Sequence, residues 1–437
     1  MINIKKTNLL SNIIYINIIL LPVLLITGPF LSDLAISING IIFIYLTLKK
    51  KNFEFFKIKL VQILIVLWIS FIISSLFSEF KLHSLKSSLP YFRFILFVGS
   101  VYFVKDKLLK IDYTKFVVFI LPSIAVSLDV IFQSYFGFNV FGIVTLDPSR
   151  NSSFFGGEFI SGSYIVRMLP ISLLYAFWLI EKKNNNNFFY LLFIFLLIST
   201  IAVLLSGERT AFFLILLFNI YFLFSFSKLK LFRIFFSFFL ILTFISILSF
   251  SKTSYNRMVK DTFNDVGLNY IFNNYFLKKD HETSTAVNRL EGEPLLKQIS
   301  PHLSHYYASI LMYNDHKILG VGPRNFRKLC RQEKYIINSY SCSTHSHSTW
   351  IQILTEAGIL PFVFLVLLFI IVMKNFYQFF TNNFKKNVNK NNDEKMIIFG
   401  AFLMTLWPLI PSGNFFNNWL SIIYFYPMGF YFIINQK

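Results

Sequence analysis

The stretch Cys342-Ser-Thr-His-Ser-His-Ser-Thr-Trp-Ile-Gln-Ile-Leu-Thr-Glu-Ala-Gly358 runs directly into Ile359-Leu-Pro-Phe-Val-Phe-Leu-Val-Leu-Leu-Phe-Ile-Ile-Val-Met373. The second part carries no charge and, with the residues from Ile351, is long enough to cross a hydrocarbon core of roughly 30 Å as a helix. The first part closes the only long hydrophilic region of the chain, from about 251 to 350. Two histidines therefore stand where water meets a membrane edge. An ionisable group in that setting is a functional hypothesis by default.

Working outward, similar apolar runs recur along all 437 residues, of which 55% are hydrophobic and 57 are Phe, with a mean hydropathy of +0.60. Soluble domains average nearer 45–50% apolar. The sequence predicts an all-α polytopic membrane protein. About twelve transmembrane helices are expected, near 9–31, 34–48, 60–78, 89–104, 116–134, 163–180, 187–206, 210–227, 231–250, 351–373, 396–412 and 417–434. The first run is too long for a secretory signal peptide. Three parts follow: helices 1–9 over 1–250, one large periplasmic loop over 251–350, and helices 10–12 over 351–437.

The formal charge is +20. With a cytoplasmic N-terminus, the short cytoplasmic connections hold about 22 Lys and Arg against about 4 in the short outer ones. That bias predicts a multi-pass protein of a bacterial inner (cytoplasmic) membrane with both termini in the cytoplasm. It also accounts for the basic excess as a topology signal, so no nucleic-acid partner is expected. Arginines do not follow the lysines. Of ten, only Arg233 falls on a cytoplasmic connection; Arg93, Arg150, Arg167, Arg209, Arg257, Arg289, Arg324, Arg327 and Arg331 fall at or beyond the outer edge. A planar, permanently charged fork grips phosphate bidentately, so this clustering points to an anionic ligand on that side. The plainer alternative is pairing with Asp147, Glu158, Glu208 and Glu291.

The only cysteines, Cys330 and Cys342, both lie in the outward loop. An oxidising compartment favours one disulfide between them; a zinc site with His345 and His347 is the competing reading. Within the loop, residues 251–300 are polar with weak periodicity and are expected to be partly mobile. From Ser304 an amphipathic helix is predicted, stopped by Asn314-Asp315 and followed by Leu319-Gly-Val-Gly-Pro-Arg-Asn-Phe326. Thr349-x-x-Gln352 predicts a capping box that starts a helix near Trp350, with His347 just ahead of its N-terminus. Neutral imidazole suits a general base near neutral pH, and His345 is the weaker candidate, better placed to orient substrate. Asp129 is costly to bury alone and is expected to pair with an Arg or face the bundle interior. No Ser-His-Asp set, phosphate-cradling lysine loop or paired-Asp motif of sugar-nucleotide glycosyltransferases is visible.

Taken together these segments resemble the O-antigen ligase/polymerase family of bacterial polysaccharide assembly. His347-Ser348 followed by Gly358 meets that family's His-[Asn/Ser/Gln]-x9-Gly spacing. Gly320-Val-Gly-Pro-Arg-Asn-Phe326 resembles its Gly-x-Gly-x-x-x-Phe turn, Ser206-Gly-Glu-Arg209 its Ser/Gly-x-Arg segment, and Arg150 through Gly162 its outer-loop Arg…Phe-Gly signature. The resemblance is strongest over about 150–370.

It implies transfer of a glycan from undecaprenyl pyrophosphate to an acceptor hydroxyl on lipid A core or on a lipid-linked repeat unit, with no cofactor and no metal. His347, assisted by His345, matches the base. Arg209 matches the donor-pyrophosphate arginine, with Arg150, Arg289, Arg324 and Arg327 as further ligands and Glu158, Glu208 and His305 in support. His305 stands where many members carry a second arginine. Ligation is the leading reading and polymerisation of repeat units the alternative. A transporter or flippase of lipid-linked sugars would favour midplane polar residues and repeat symmetry.

Overall fold

The computed structural model describes residues 2–110, 112–183, 187–226, 230–262, 301–384 and 392–435. Among them the chain is helical, with one isolated bridge, Phe138 to Val144, and no strand. The principal helices are α1 (Ile2–Ile26), α2 (Pro29–Lys50), α3 (Lys59–Leu76), α4 (Phe92–Phe103), α5 (Tyr113–Phe136), α6 (Ser161–Lys183) and α7 (Asn187–Leu205). They continue with α8 (Arg209–Ser225), α9 (Lys230–Phe250), α10 (Pro301–Asp315), α11 (Ile359–Phe384), α12 (Asn392–Leu406) and α13 (Asn418–Ile434).

Helices thus stand at each apolar run, but by length and composition only six of those described qualify to cross a membrane, or seven if the bent pair 233–249 and 252–260 is one span. Part of the shortfall has a simple origin, since Tyr190–Leu205, Arg209–Ser225 and Asn418–Ile434 are apolar helices of 17 residues or fewer. At 1.5 Å per residue, α4 rises roughly 18 Å and α12 roughly 22 Å, both short of a hydrocarbon core of about 30 Å. Each is extended by chain that is not one continuous helix: residues 77–91 lead into α4, and 407–417 leave α12. Pro408 and Pro411, three residues apart, disfavour helix in the latter, because each lacks an N–H and clashes with the preceding turn.

The run read from the sequence as a span from 351 is also divided. A short helix, Thr349–Gln352, and a π turn, Ile353–Ala357, end at Gly358, and α11 starts afresh at Ile359. Gly358 has φ +88°, and a Cβ there would lie 2.2 Å from the Ile318 carbonyl oxygen. Only glycine lets the two chain segments cross that closely.

At the centre stands α6, buried almost throughout and packed by α5, α7, α8, α12 and α13. Its neighbours supply a continuous apolar core in which Phe119 stacks on Tyr175 at 4.1 Å, and Tyr91, Phe94, Phe415, Phe416 and Phe425 form an aromatic cluster. Asp129 on α5 faces this interior, where it accepts from Val140 N (2.9 Å) and Ser153 Oγ (2.5 Å) rather than from an arginine. The loop helix α10 closes the predicted amphipathic segment at Asp315 and heads a separate small core of Ala308, Met312, Val321, Phe326, Leu329, Cys330 and Tyr335. Cys330 and Cys342 are joined, with Cα atoms 5.0 Å apart. Of the loop expected to be mobile, residues 263–300 lie outside the described residues, and so does Arg289.

Candidate active site

Three pieces of chain distant in sequence meet at one end of the bundle. The first is the Gly-x-Gly turn. Val321 N donates to Thr355 O and Gly322 N to Glu356 O, both at 2.9 Å, so the turn lies along the π turn that follows the histidines. Glu356 is fully buried and locks the two together. Its Oε1 accepts from Phe326 N at 3.0 Å, its Oε2 from Gln352 Nε2 at 2.8 Å, and its backbone carbonyl from Ser74 Oγ of α3 at 2.9 Å. Burial pushes this carboxyl up to about 7, against the hydrogen bonds from Gln352 and the Arg324 and Phe326 N–H groups and the charge of Arg327. Arg324 leaves the turn with φ +62°, a conformation that non-glycine residues adopt at a cost. Burial, and then Arg327 beside it, lowers the Arg324 pKa.

The second piece is the segment 407–417, which folds back onto the histidines. Ser412 N donates to His347 O at 2.8 Å, and Ser412 Oγ receives Thr349 N at 2.6 Å. Gln352 Nε2 donates to Asn414 Oδ1, while Gln352 Oε1 accepts from Phe415 N at 2.8 Å. Gln352 is therefore a clamp on this loop, not the second half of a capping box. The cap itself is Ser348, whose side chain accepts from Ile351 N, so the helix begins at Thr349, one residue earlier than predicted.

Between these pieces four imidazoles gather. The His347 ring lies 4.0 Å from His345, 5.0 Å from His305 and 5.1 Å from His302, centre to centre. His345 is buried with both nitrogens engaged: Nε2 donates to Ser412 O at 3.2 Å, which leaves Nδ1 to accept from Thr344 Oγ1 at 2.9 Å. His347 has φ +56° and its Nε2 faces Ser343 Oγ at 3.0 Å, while Nδ1 makes no hydrogen bond among the described residues. Burial, then the neighbouring His345, His302 and His305, pushes His347 down to about 3. Burial likewise takes His345 to about 4, against the Ser412 carbonyl and with help from Arg327, and His305 to about 4, with help from His302. His347, His345 and His305 are thus held neutral at physiological pH. Among the described residues no three His, Cys, Asp or Glu side chains are arranged to hold a metal ion.

A second group forms at the turn before α8. Glu208 reaches across to the start of α6 and accepts from Gly162 N (2.6 Å), Ser163 N (3.2 Å) and Ser163 Oγ (2.7 Å), capping that helix. Burial raises its carboxyl to about 7 despite those bonds and the charge of Arg150. Arg150 stacks 4.3 Å over the Phe159 ring and donates to Phe159 O, and Arg257 Nε donates to Gly207 O at 3.3 Å. Burial lowers the Arg150 pKa, Glu208 opposes it, and Arg257 and Arg209 add to the fall, so three guanidinium groups share this corner. Arg209 opens α8, whose first N–H groups face the same end of the bundle. Glu158 is exposed and makes no ion pair among the described residues.

The sequence-predicted residues thus fall into two groups: His345, His347, His305, Arg324 and Arg327 in one, and Arg150, Arg209 and Glu208 in the other. Thr210, next to Arg209, lines a narrow crevice together with Thr349 and Ser412, two residues next to or bonded to the His347 segment. Sequence reasoning missed Glu356, Ser412 and Gln352 as organisers of the site. Pro411-Ser-Gly-Asn414, a turn signal inside an apolar run, was the available clue to the second of these.

An all-helical bundle with long apolar helices and a polar, arginine-rich site at one end defines a multi-pass membrane protein. Residues 193–368 match the family model described as O-antigen ligase, and that segment belongs to the O-antigen ligase family. The match covers α7 to the first part of α11 and so holds the histidine segment, the Gly-x-Gly turn and Arg209. The match supports a ligase- or polymerase-type role in polysaccharide assembly. No curated protein matches the sequence.

Proposed function

We propose that this chain is a glycosyltransferase that moves a glycan from undecaprenyl pyrophosphate to a hydroxyl of lipid A core, at the outward face of the bacterial inner membrane and with both termini in the cytoplasm. The observation that carries the reading is His347: a neutral imidazole on a left-handed backbone, held by Ser343 and the Ser412 loop, within a cluster of His345, His305 and His302 that Arg327 also acts on. Strained residues that the surrounding structure over-determines cluster at functional sites.

In the proposed step, Nε2–H of His347 is donated to Ser343 Oγ, and the Nδ1 lone pair takes the proton of the acceptor hydroxyl. The hydroxyl oxygen forms the new bond to the anomeric carbon. The bond from that carbon to the pyrophosphate oxygen breaks, and its electron pair leaves with the pyrophosphate. Guanidinium groups of Arg209 and Arg150, with Arg324 and Arg327 opposite, stabilise the departing charge. The ligand-free pKa of about 3 makes His347 a weak base. A pyrophosphate bound within a few ångströms favours the protonated ring and raises that value, so donor binding itself prepares the base.

The test is deletion of the gene followed by analysis of envelope polysaccharide. Ligation predicts loss of all long chains on lipid A while lipid-linked polymer accumulates. Single-repeat products on lipid A identify a polymerase instead.

A further inference from the structure

The chain that leaves α5 turns back along it. Gly137, at φ +81°, ends the helix, and residues 138–144 form a hairpin closed by the Phe138–Val144 bridge. Val140 N donates to Asp129 Oδ1 at 2.9 Å, and Gln133 Nε2 donates to Ile143 O at 3.3 Å. Asp129 lies two turns before Phe136, the last residue of α5, so at 1.5 Å per residue the hairpin tip returns roughly 10 Å along the helix. α5 is one of the six helices long and apolar enough to cross a membrane. Its 24 residues rise about 36 Å, only about 6 Å more than a hydrocarbon core, so a point 10 Å inside its end stands below the membrane surface.

The side chains suit that depth. Phe138, Val140, Phe141, Ile143, Val144 and Leu146 are all exposed, Leu146 by 81%, and no charged residue stands between Asp129 and Asp147. A contiguous apolar patch of this kind marks an interaction surface. The backbone suits it too. Five consecutive amides find acceptors inside the protein: Asn139 N on Ile143 O (3.0 Å), Val140 N on Asp129, Phe141 N and Ile143 N on Asn139 Oδ1 (3.0 and 2.8 Å), and Gly142 N on Asn139 O (2.8 Å). Asn139 is fully buried, and its Nδ2 donates to Ser153 O at 2.9 Å. A turn in water can leave its amides to solvent; near hydrocarbon each unmet one is costly.

We infer that residues 138–146 are a lipid wedge: their apolar side chains enter the leaflet at the site's end of the bundle, at the boundary of headgroups and acyl chains, with Asn139 in place of water for the amides of the tip. Amphipathic segments rest at that depth, and aromatic side chains such as Phe138 and Phe141 favour it. The inference goes beyond the transfer reaction and stands without it. Its bearing on the site runs through Ser153, whose N donates to Gln133 Oε1 at 2.7 Å and whose Oγ donates to Asp129 Oδ2 at 2.5 Å. Two residues earlier, Asn151 donates from N to Ser206 O at 3.1 Å and from Nδ2 to Leu205 O at 2.6 Å. The loop that carries Arg150 and the turn that carries Arg209 are thus fastened to the wedge, which sets their height over the lipid.

The test uses the full-length protein in liposomes of phosphatidylethanolamine and phosphatidylglycerol, with one nitroxide label per variant on an added cysteine, the native pair being joined. Labels at Val140→Cys and Val144→Cys are compared with Leu128→Cys, exposed on α5 beside Asp129, and with Lys317→Cys, exposed beyond α10. Depth is read from collision with oxygen, which dissolves among acyl chains, against collision with a water-soluble nickel chelate. The Val140 label should read within about 5 Å, one helical turn, of the Leu128 label, with the Val144 label shallower. Both should favour oxygen over nickel several-fold more than the Lys317 label does. Nickel access at Val140 equal to that at Lys317 puts the hairpin in water and overturns the inference. Exclusion of both reagents overturns it as well, since protein then covers the hairpin, and dipolar broadening between labels would identify that cover as a second copy. Asn139→Ala takes the acceptor from two amides and should move the Val144 label toward nickel while the Leu128 label keeps its depth. A Val144 label as deep in Asn139→Ala as in its parent overturns the part given to Asn139.

Discussion

Gly358→Ala tests why a glycine must follow the histidine at a fixed distance. The residue has φ +88° and ψ −173°, a region that is essentially glycine's alone and costs about 1–3 kcal/mol for any other residue. The added methyl would lie 2.2 Å from Ile318 O and 2.7 Å from the Leu319 carbonyl carbon, where ordinary contact begins at 3.4 Å. The 318–322 backbone must therefore recede by roughly 1 Å, a forced overpacking worth about 1–3 kcal/mol more. That shift lengthens both bonds that lay the Gly-x-Gly turn along the π turn, Val321 to Thr355 and Gly322 to Glu356. The expected loss is about 2–6 kcal/mol of local stability. A displacement near 1 Å at a reacting site costs about 10²-fold in rate. Gly137→Ala is the control: φ is +81° but nothing lies within 4 Å of its Cβ, so it should cost only about 1 kcal/mol and no activity. Melting midpoint by intrinsic fluorescence and initial rate of glycan transfer are the readouts. If Gly358→Ala and Gly137→Ala behave alike in both, the crossing of the two segments is not what the glycine serves.

Arg209→Lys keeps a charge but loses the planar fork, so donor affinity should fall well beyond a conservative change; wild-type affinity in that variant and in Arg209→Ala removes Arg209 from the donor site. In ligand-free protein labelled with ¹⁵N-histidine, the His347, His345 and His305 rings should stay neutral from pH 8 to pH 5, and protonation near pH 6.5 would contradict the buried cluster. The sign follows from their lowered pKa values. Each ring contributes stability above 6.5 that is lost as pH falls toward about 4, or about 3 for His347. The raised Glu208 and Glu356 carboxyls work oppositely: their contribution is full below 4.5 and is lost as pH rises through about 7. Glu356→Ala leaves the Phe326 and Arg324 N–H groups buried without an acceptor, at about 1–3 kcal/mol each, and should lower the melting midpoint more than the exposed Glu158→Ala.

Much of this was legible in the sequence, for reasons visible in particular residues. Apolar runs mark where helices stand because burial in lipid or in a core needs the same side chains, and α10 ends at the Asn314-Asp315 stop as its pattern indicates. The same indifference is why the run from Ile351 read as one span. Ile353, Leu354 and Ala357 are as apolar as the helix beyond, and only φ at Gly358 separates them. Residues 407–412 were absorbed into a span for the same reason, although Pro408 and Pro411 disfavour helix there. The site's motifs could be found one by one, but their joining could not. Glu356 looked like an acid at the edge of a span. Its meaning depends on a contact with chain 30 residues away.

The central claim is that His347 takes the acceptor proton, and one measurement addresses it most directly. Purified wild-type, His347→Ala and His345→Ala proteins, each verified as folded, would be compared in transfer from a synthetic undecaprenyl-pyrophosphate glycan at saturating donor, with chelator present. A positioned base contributes about 10²- to 10⁴-fold, so His347→Ala should lose that factor in kcat with donor affinity kept. His345, its nitrogens held by Thr344 and Ser412, should cost less. A His347→Ala enzyme with near-normal kcat, or a wild-type enzyme silenced by chelator, would contradict the account.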